Sequence, residues 1–83
     1  MSEKNLEAAE PPVGKAREVL AVVEQHNLAT GFPATNRDVS AVMGYASTAT
    51  AHTHLQSLKR RGFVVQRGKQ GYVAAELEYR VAA

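Results

Sequence analysis

The apolar positions of this 83-residue chain change period along its length. Over residues 13–28, Ala16, Val19, Leu20, Val23 and Leu28 fall inward at helical spacing while Lys15, Arg17, Glu18 and Glu24 fall outward. That pattern predicts an amphipathic helix with one buried stripe. A second run follows Thr35, with Val39, Val42 and Met43 on one side of a short helix that begins near Asn36 and stops at Gly44. Thr35 and Asp38 stand three apart, the spacing at which a hydroxyl and a carboxylate cap each other's backbone amides. A third run, 48–61, carries Ala51, Leu55 and Leu58 on its inner face, with Ser47 as N-cap and Gly62 as terminator. Only Gly44, Tyr45 and Ala46 separate these two helices, and so short a glycine-containing connection makes them cross steeply.

After Gly62 the pattern becomes that of strands. Phe63, Val64 and Val65 are β-formers, Arg67-Gly68-Lys69-Gln70-Gly71 is turn chemistry, and Tyr72-Val73 returns to β-formers, which predicts a hairpin. Thr30-Gly31-Phe32-Pro33 reads as the turn between the first two helices, with Phe32 packed beneath it. A single core is expected from Val13, Leu20, Val39, Val42, Leu55, Leu58, Phe63, Val65 and Tyr72. The polar residues 1–12, ending in Pro11-Pro12, are expected to be a disordered tail. In 74–83, Leu77, Tyr79 and Val81 alternate with Glu76, Glu78 and Arg80, the period of a further strand that adds to the hairpin sheet or pairs with a second copy; a frayed tail is the alternative. Three helices and a hairpin over 13–73 are the plan of an α+β winged helix-turn-helix.

Charge sharpens this picture. The chain has a formal net charge of +2, but residues 13–73 hold eight cations against Glu18, Glu24 and Asp38. Lys59, Arg60, Arg61, Arg67 and Lys69 gather at the end of the third helix and the hairpin tip with no acidic residue among them. Cations at a helix C-terminus suit its dipole, so part of the cluster needs no ligand. A basic helix end beside a basic hairpin is also the footprint expected for phosphate on either side of a groove-bound helix. The outward face between them carries Thr48, Ala49, His52, Thr53 and Gln56, which are uncharged or weakly titratable. Such a face fits a major groove, where Thr and Gln reach base edges and Ala or a Thr methyl meets a thymine methyl; Ser47 and Thr50 can also anchor phosphates at the helix start.

Composition limits the other possibilities. A chain this short buries one modest core, and with no cysteine it has neither disulfides nor thiolate metal sites, as suits a reducing cytoplasm. No apolar run approaches a membrane span and the polar N-terminus does not resemble a signal peptide, so a soluble cytoplasmic protein, at the nucleoid of a bacterial or phage-infected cell, is expected. His52 and His54, two apart on a helix, point different ways and make a poor metal site; His54 reads as packing and His26 as a complement to the first helix's dipole. No sequence feature sets a nucleophile against a base. The chain is expected to be a non-enzyme with no cofactor and no small-molecule ligand.

The string GFPATNRDVSAVMGYASTATAHTHLQSLKRRGF, residues 31–63, resembles the N-terminal winged-helix domain of LexA-type repressors, whose glycine-aromatic-proline turn leads into a short helix. Its specific points are Gly31, Pro33, Thr35, Asp38, Gly44, Ser47, His54-Leu55, Leu58, Arg61 and Gly62, with Ala34 in place of the usual second proline. The resemblance implies base contacts at Ser47, Ala49, Thr50, His52 and Thr53. Ala49 and His52 differ from the Asn and Glu of the best-known versions, so the operator does not carry over. The self-cleaving Ser/Lys domain of such repressors is not matched within these 83 residues, and the chain is expected to be a stand-alone relative, with a fragment of a longer protein as the alternative.

The resulting expectation is a sequence-specific double-stranded DNA-binding regulator, most simply a repressor, acting as a homodimer on a palindromic site. Helix 47–61 would lie in the major groove, with Ser47, Ala49, Thr50, His52, Thr53 and Gln56 reading bases. The wing, 66–71, would lie on the backbone, with Thr35, Arg37, Thr48, Lys59, Arg60, Arg67 and Lys69 as phosphate contacts. Two other readings use the same residues: a winged helix that binds protein of the transcription or replication machinery, and a nonspecific nucleoid factor.

Overall fold

A computed structural model describes residues 10–81 of the protein. Three helices, α1 (Gly14–Thr30), α2 (Asn36–Met43) and α3 (Thr48–Arg60), precede an antiparallel pair, β1 (Val64–Gln66) and β2 (Tyr72–Ala74). A single 3-10 turn, Gly68–Gln70, forms the hairpin tip, and a second 3-10 segment, Ala75–Arg80, follows β2. The register pairs Val64 with Ala74, Val65 with Val73 and Gln66 with Tyr72. This is a winged helix-turn-helix of the α+β class.

The helix boundaries follow from their caps. Thr35 Oγ1 accepts from the Asp38 amide at 3.0 Å, and the Thr35 amide donates to Asp38 Oδ2 at 3.0 Å, a reciprocal capping box that starts α2. Gly44 ends α2 at φ 76, a left-handed conformation that other residues adopt at a cost, and its amide bonds Ser40 O. Ser47 Oγ accepts from the Ala49 amide at 3.3 Å and opens α3. Three residues of connection therefore suffice to turn the chain between α2 and α3.

Val19 and Val23 of α1, Val39 of α2, and Ala51, Leu55 and Leu58 of α3 meet Val64, Tyr72 and Ala74 of the hairpin in one core, with Leu20, Met43, Phe63 and Leu77 partly buried around it. Five expected core residues lie outside it, among them Val65 of β1, which is half-buried on the other side of the strand from Val64. Val13 precedes α1 and is exposed. Leu28 is exposed because the inward stripe runs through Val19, Val23 and Asn27, one position off its own. Val42 is 70% exposed because α2 turns Val39, Ser40 and Met43 inward, leaving Val42 on the flank facing α1. Phe32 is 58% exposed, since the turn buries Pro33 and Ala34 in its stead.

The buried Asn27 joins three segments. Its Nδ2 donates to Phe32 O at 3.0 Å and Tyr72 O at 3.3 Å, and its Oδ1 accepts from the Ala74 amide at 2.8 Å. Ala34 and Tyr72 exchange both backbone hydrogen bonds, at 2.9 and 2.7 Å, so the loop before α2 lies along the free edge of β2.

Both ends of the domain depart from expectation. The tail expected over 1–12 falls mostly on residues 1–9, outside the described set. Glu10 and Pro12 are structured, however, with Pro12 buried and Glu10 O accepting from Arg61 Nη2 at 2.8 Å. The strand expected in 74–83 is a 3-10 segment, with residues 82–83 outside the described set. A strand needs a ladder, and here the Ala75 amide bonds Phe63 O while Arg67 occupies the carbonyls of Glu78 and Val81.

Candidate nucleic-acid interface

Because Leu55 and Leu58 are held in the core, α3 presents Ser47, Thr48, Ala49, Thr50, His52 and Thr53 together on the exposed side. None of these bears a carboxylate. Thr53 donates its hydroxyl to Ala49 O at 3.1 Å, which leaves a lone pair and a methyl group for an outside partner. Ser47 Oγ, already an acceptor for the Ala49 amide, keeps its own proton to donate.

Beside this face lies a concavity of about 420 Å³, bounded by Thr35, Asn36 and Arg37 at the start of α2, by Thr48 and His52 of α3, and by the wing. Arg37 and Lys69 stand exposed at its rim, and Arg60 is exposed at the end of α3. Lys59 Nζ donates to Gln66 Oε1 at 2.9 Å, linking α3 to β1 while remaining exposed. Thr35 keeps its capping role at the rim. The groove is thus flanked by cations on three elements, and its walls are fixed by the capping box and by the Ala34–Tyr72 bridge.

Two expected contact residues point elsewhere. Arg67, assigned from sequence to the phosphate backbone, donates from Nη1 to Val81 O at 3.0 Å and from Nη2 to Glu78 O at 2.9 Å. A guanidinium holding two carbonyls at the C-terminal end of a helical turn is a clamp on that segment. Gln56, assigned to base reading, donates from Nε2 to the Tyr72 hydroxyl at 2.8 Å and is half-buried, so it belongs to the junction between α3 and the wing. Arg61 likewise turns to Glu10 O and lies over the Phe63 ring, 5.2 Å from its centroid.

The histidines separate into different settings. His54 stacks on Tyr45 with ring centroids 6.4 Å apart, and His26 Nε2 lies 3.6 Å from Asp38 Oδ2, facing α2. His52 is exposed, and its Nδ1 lies 3.5 Å from Asn36 Nδ2. Asn36 was not among the residues singled out from sequence; its place one position inside the Thr35 cap is the only signal that could have drawn attention to it. Among the described residues no cluster of His, Asp and Glu could hold a metal ion, and no helix is long and apolar enough to cross a membrane.

A capped two-helix turn, an exposed uncharged helix and a cation-flanked wing define the class of winged helix-turn-helix modules. The LexA DNA binding domain family model matches residues 13–70, and the chain belongs to that family. Among similar curated proteins, the LexA repressor of Lactobacillus acidophilus is 36% identical over 66 residues, covering 80% of this chain and 29% of that protein. That of Lactobacillus delbrueckii subsp. bulgaricus is 44% identical over 36 residues, covering 43% of this chain and 18% of its own length. That of Haemophilus influenzae is 33% identical over 54 residues, covering 65% and 26%. The chain therefore spans less than a third of each of these relatives.

Proposed function

We propose that the protein is the sequence-specific DNA-binding unit of a transcriptional repressor. α3 enters the major groove, with Ser47, Ala49, Thr50, His52 and Thr53 against base edges. Arg37, Thr48, Lys59, Arg60 and Lys69 meet the phosphates on either side, and Thr35 stands at the rim between them. The observation that carries this reading is the exposed, carboxylate-free face of α3 with cations on α2, on its own C-terminus and on the wing around it. A solvated helix face of ordinary composition would carry Glu and Lys, and glutamates would be repelled from a duplex.

A single α3 spans only a few base pairs, so useful specificity calls for two copies on a palindromic site. Four cationic phosphate contacts per copy give a binding constant that falls with salt at a log-log slope of about −3 to −4. The test is titration of a labelled random duplex pool with the whole chain, followed by selection and competition with bulk DNA. Enriched sequences that survive competitor support the reading, and Thr53→Glu should abolish their binding while leaving thermal melting intact. Equal affinity for all duplexes would favour a nonspecific nucleoid factor, and absence of binding at low salt would favour a protein-binding module.

A further inference from the structure

We propose that Asn36 sets the tautomer of His52, and that the pair makes the protein select guanine at the base pair facing His52; this rests on α3 being the groove-bound helix. Asn36 is the first residue of α2 and lies across the groove from α3. Its Nδ2 approaches His52 Nδ1 at 3.5 Å, and its Oδ1 is enclosed with no hydrogen-bond partner. An amide side chain has two orientations, and here they are not equivalent. The observed one encloses a single carbonyl oxygen, whereas the flipped one would enclose an NH₂ with two unmet donors. Asn36 therefore presents its NH₂ to the imidazole.

An imidazole nitrogen that accepts a hydrogen bond carries no proton, so neutral His52 holds its proton on Nε2. Nε2–H remains for an outside partner, because Nδ1 is engaged by Asn36 and the side chain is exposed. In the major groove a lone donor is met best by guanine, whose N7 and O6 are adjacent acceptors. Adenine places an amino donor beside N7, thymine offers the single acceptor O4 beside its methyl group, and cytosine presents only a donor, so guanine alone offers two adjacent acceptors. Asn36 is a positioning residue in this scheme, acting on DNA through His52. The expected preference for guanine at this one position is about 3- to 10-fold, the worth of one neutral hydrogen bond.

Two measurements test this. Imidazole nitrogen chemical shifts of the whole chain at about pH 8, above the ordinary imidazole range, should show the His52 proton on Nε2. Selection from a random duplex pool under the same conditions should show guanine enriched at one position, and Asn36→Leu should relax that position while the rest of the selected motif is kept. If wild-type protein selects a motif and Asn36→Leu selects the same one, or if the His52 proton sits on Nδ1, the proposal is overturned while the groove reading stands. If wild-type protein enriches no motif, the groove reading itself fails and takes this inference with it.

Discussion

Asn27 in the last turns of α1 and Ala74 at the end of β2 are joined by a buried 2.8 Å hydrogen bond, 47 residues apart in sequence. With the two carbonyls that accept from its Nδ2, this one side chain fixes the wing's return strand and the turn before α2 to the first helix. Asn27→Leu would leave the Ala74 amide and the Phe32 carbonyl without their side-chain partner, while the Tyr72 carbonyl would keep only the Ala34 amide. The expected loss is about 2–4 kcal/mol in denaturant unfolding, well above a surface substitution in the same helix.

Gly71 carries the chain into β2 at φ 126 and ψ −152, and a Cβ there would run into the Ala34 carbonyl oxygen. That oxygen accepts the Tyr72 amide at 2.7 Å, so the collision falls on the bridge that sets the wing against α2. Gly71→Ala should cost about 2 kcal/mol or more and lower Tm by roughly 10 °C. An unchanged Tm would mean that the loop and β2 are not held together as described.

The parts of the fold that the sequence made legible are those governed by local chemistry. Thr35 with Asp38, Gly44, and Ser47 each act within a few residues of themselves, so α2, the turn and α3 could be placed from spacing alone. Asn27 was illegible because a polar residue in a mostly apolar helix signals nothing until its distant partners are known. Arg67 misled for a related reason: a cation in a basic cluster reads as a phosphate contact, and only the tertiary fold places the carbonyls of Glu78 and Val81 within its reach. The alternation of Leu77, Tyr79 and Val81 suggested a strand, yet Tyr79 is exposed in a 3-10 segment held by side-chain and backbone contacts outside any ladder, and Val81 is buried just after it. In the candidate interface, the exposed face of α3 followed from the apolar stripe opposite it, whereas Asn36 acquires its place only through proximity to His52.

Lys69 and Arg67 sit two apart on the wing and should behave differently in salt titrations. Lys69→Ala removes an exposed cation at the groove rim and should lower the salt slope of DNA binding by about 1. Arg67→Ala should leave the slope unchanged and speed amide exchange over residues 75–81, because its guanidinium holds that segment. A slope that falls with Arg67→Ala as it does with Lys69→Ala would contradict the clamp.

Glu24 on α1 has its carboxyl raised above the ordinary 4.5, first by burial and then by the neighbouring Glu76 carboxylate, with Arg17 opposing. A carboxyl that holds its proton more tightly in the folded state than in the unfolded one destabilises the fold when ionised. The cost is fully present above the folded value and is relieved as pH falls through that value toward the ordinary one. Glu24→Gln should therefore raise Tm at neutral pH, with the gain shrinking as the solution is acidified. A gain that grew on acidification would reverse the assigned sign.

The most direct test of α3 as the reading element is to follow backbone and methyl signals of the labelled protein while a selected duplex is added. Shifts concentrated at residues 47–53, with a second group at Arg37 and Lys69, are the predicted result. Shifts confined to the opposite flank, around Val42 and the outer face of α1, would contradict it, as would a spectrum that duplex leaves unmoved at low salt.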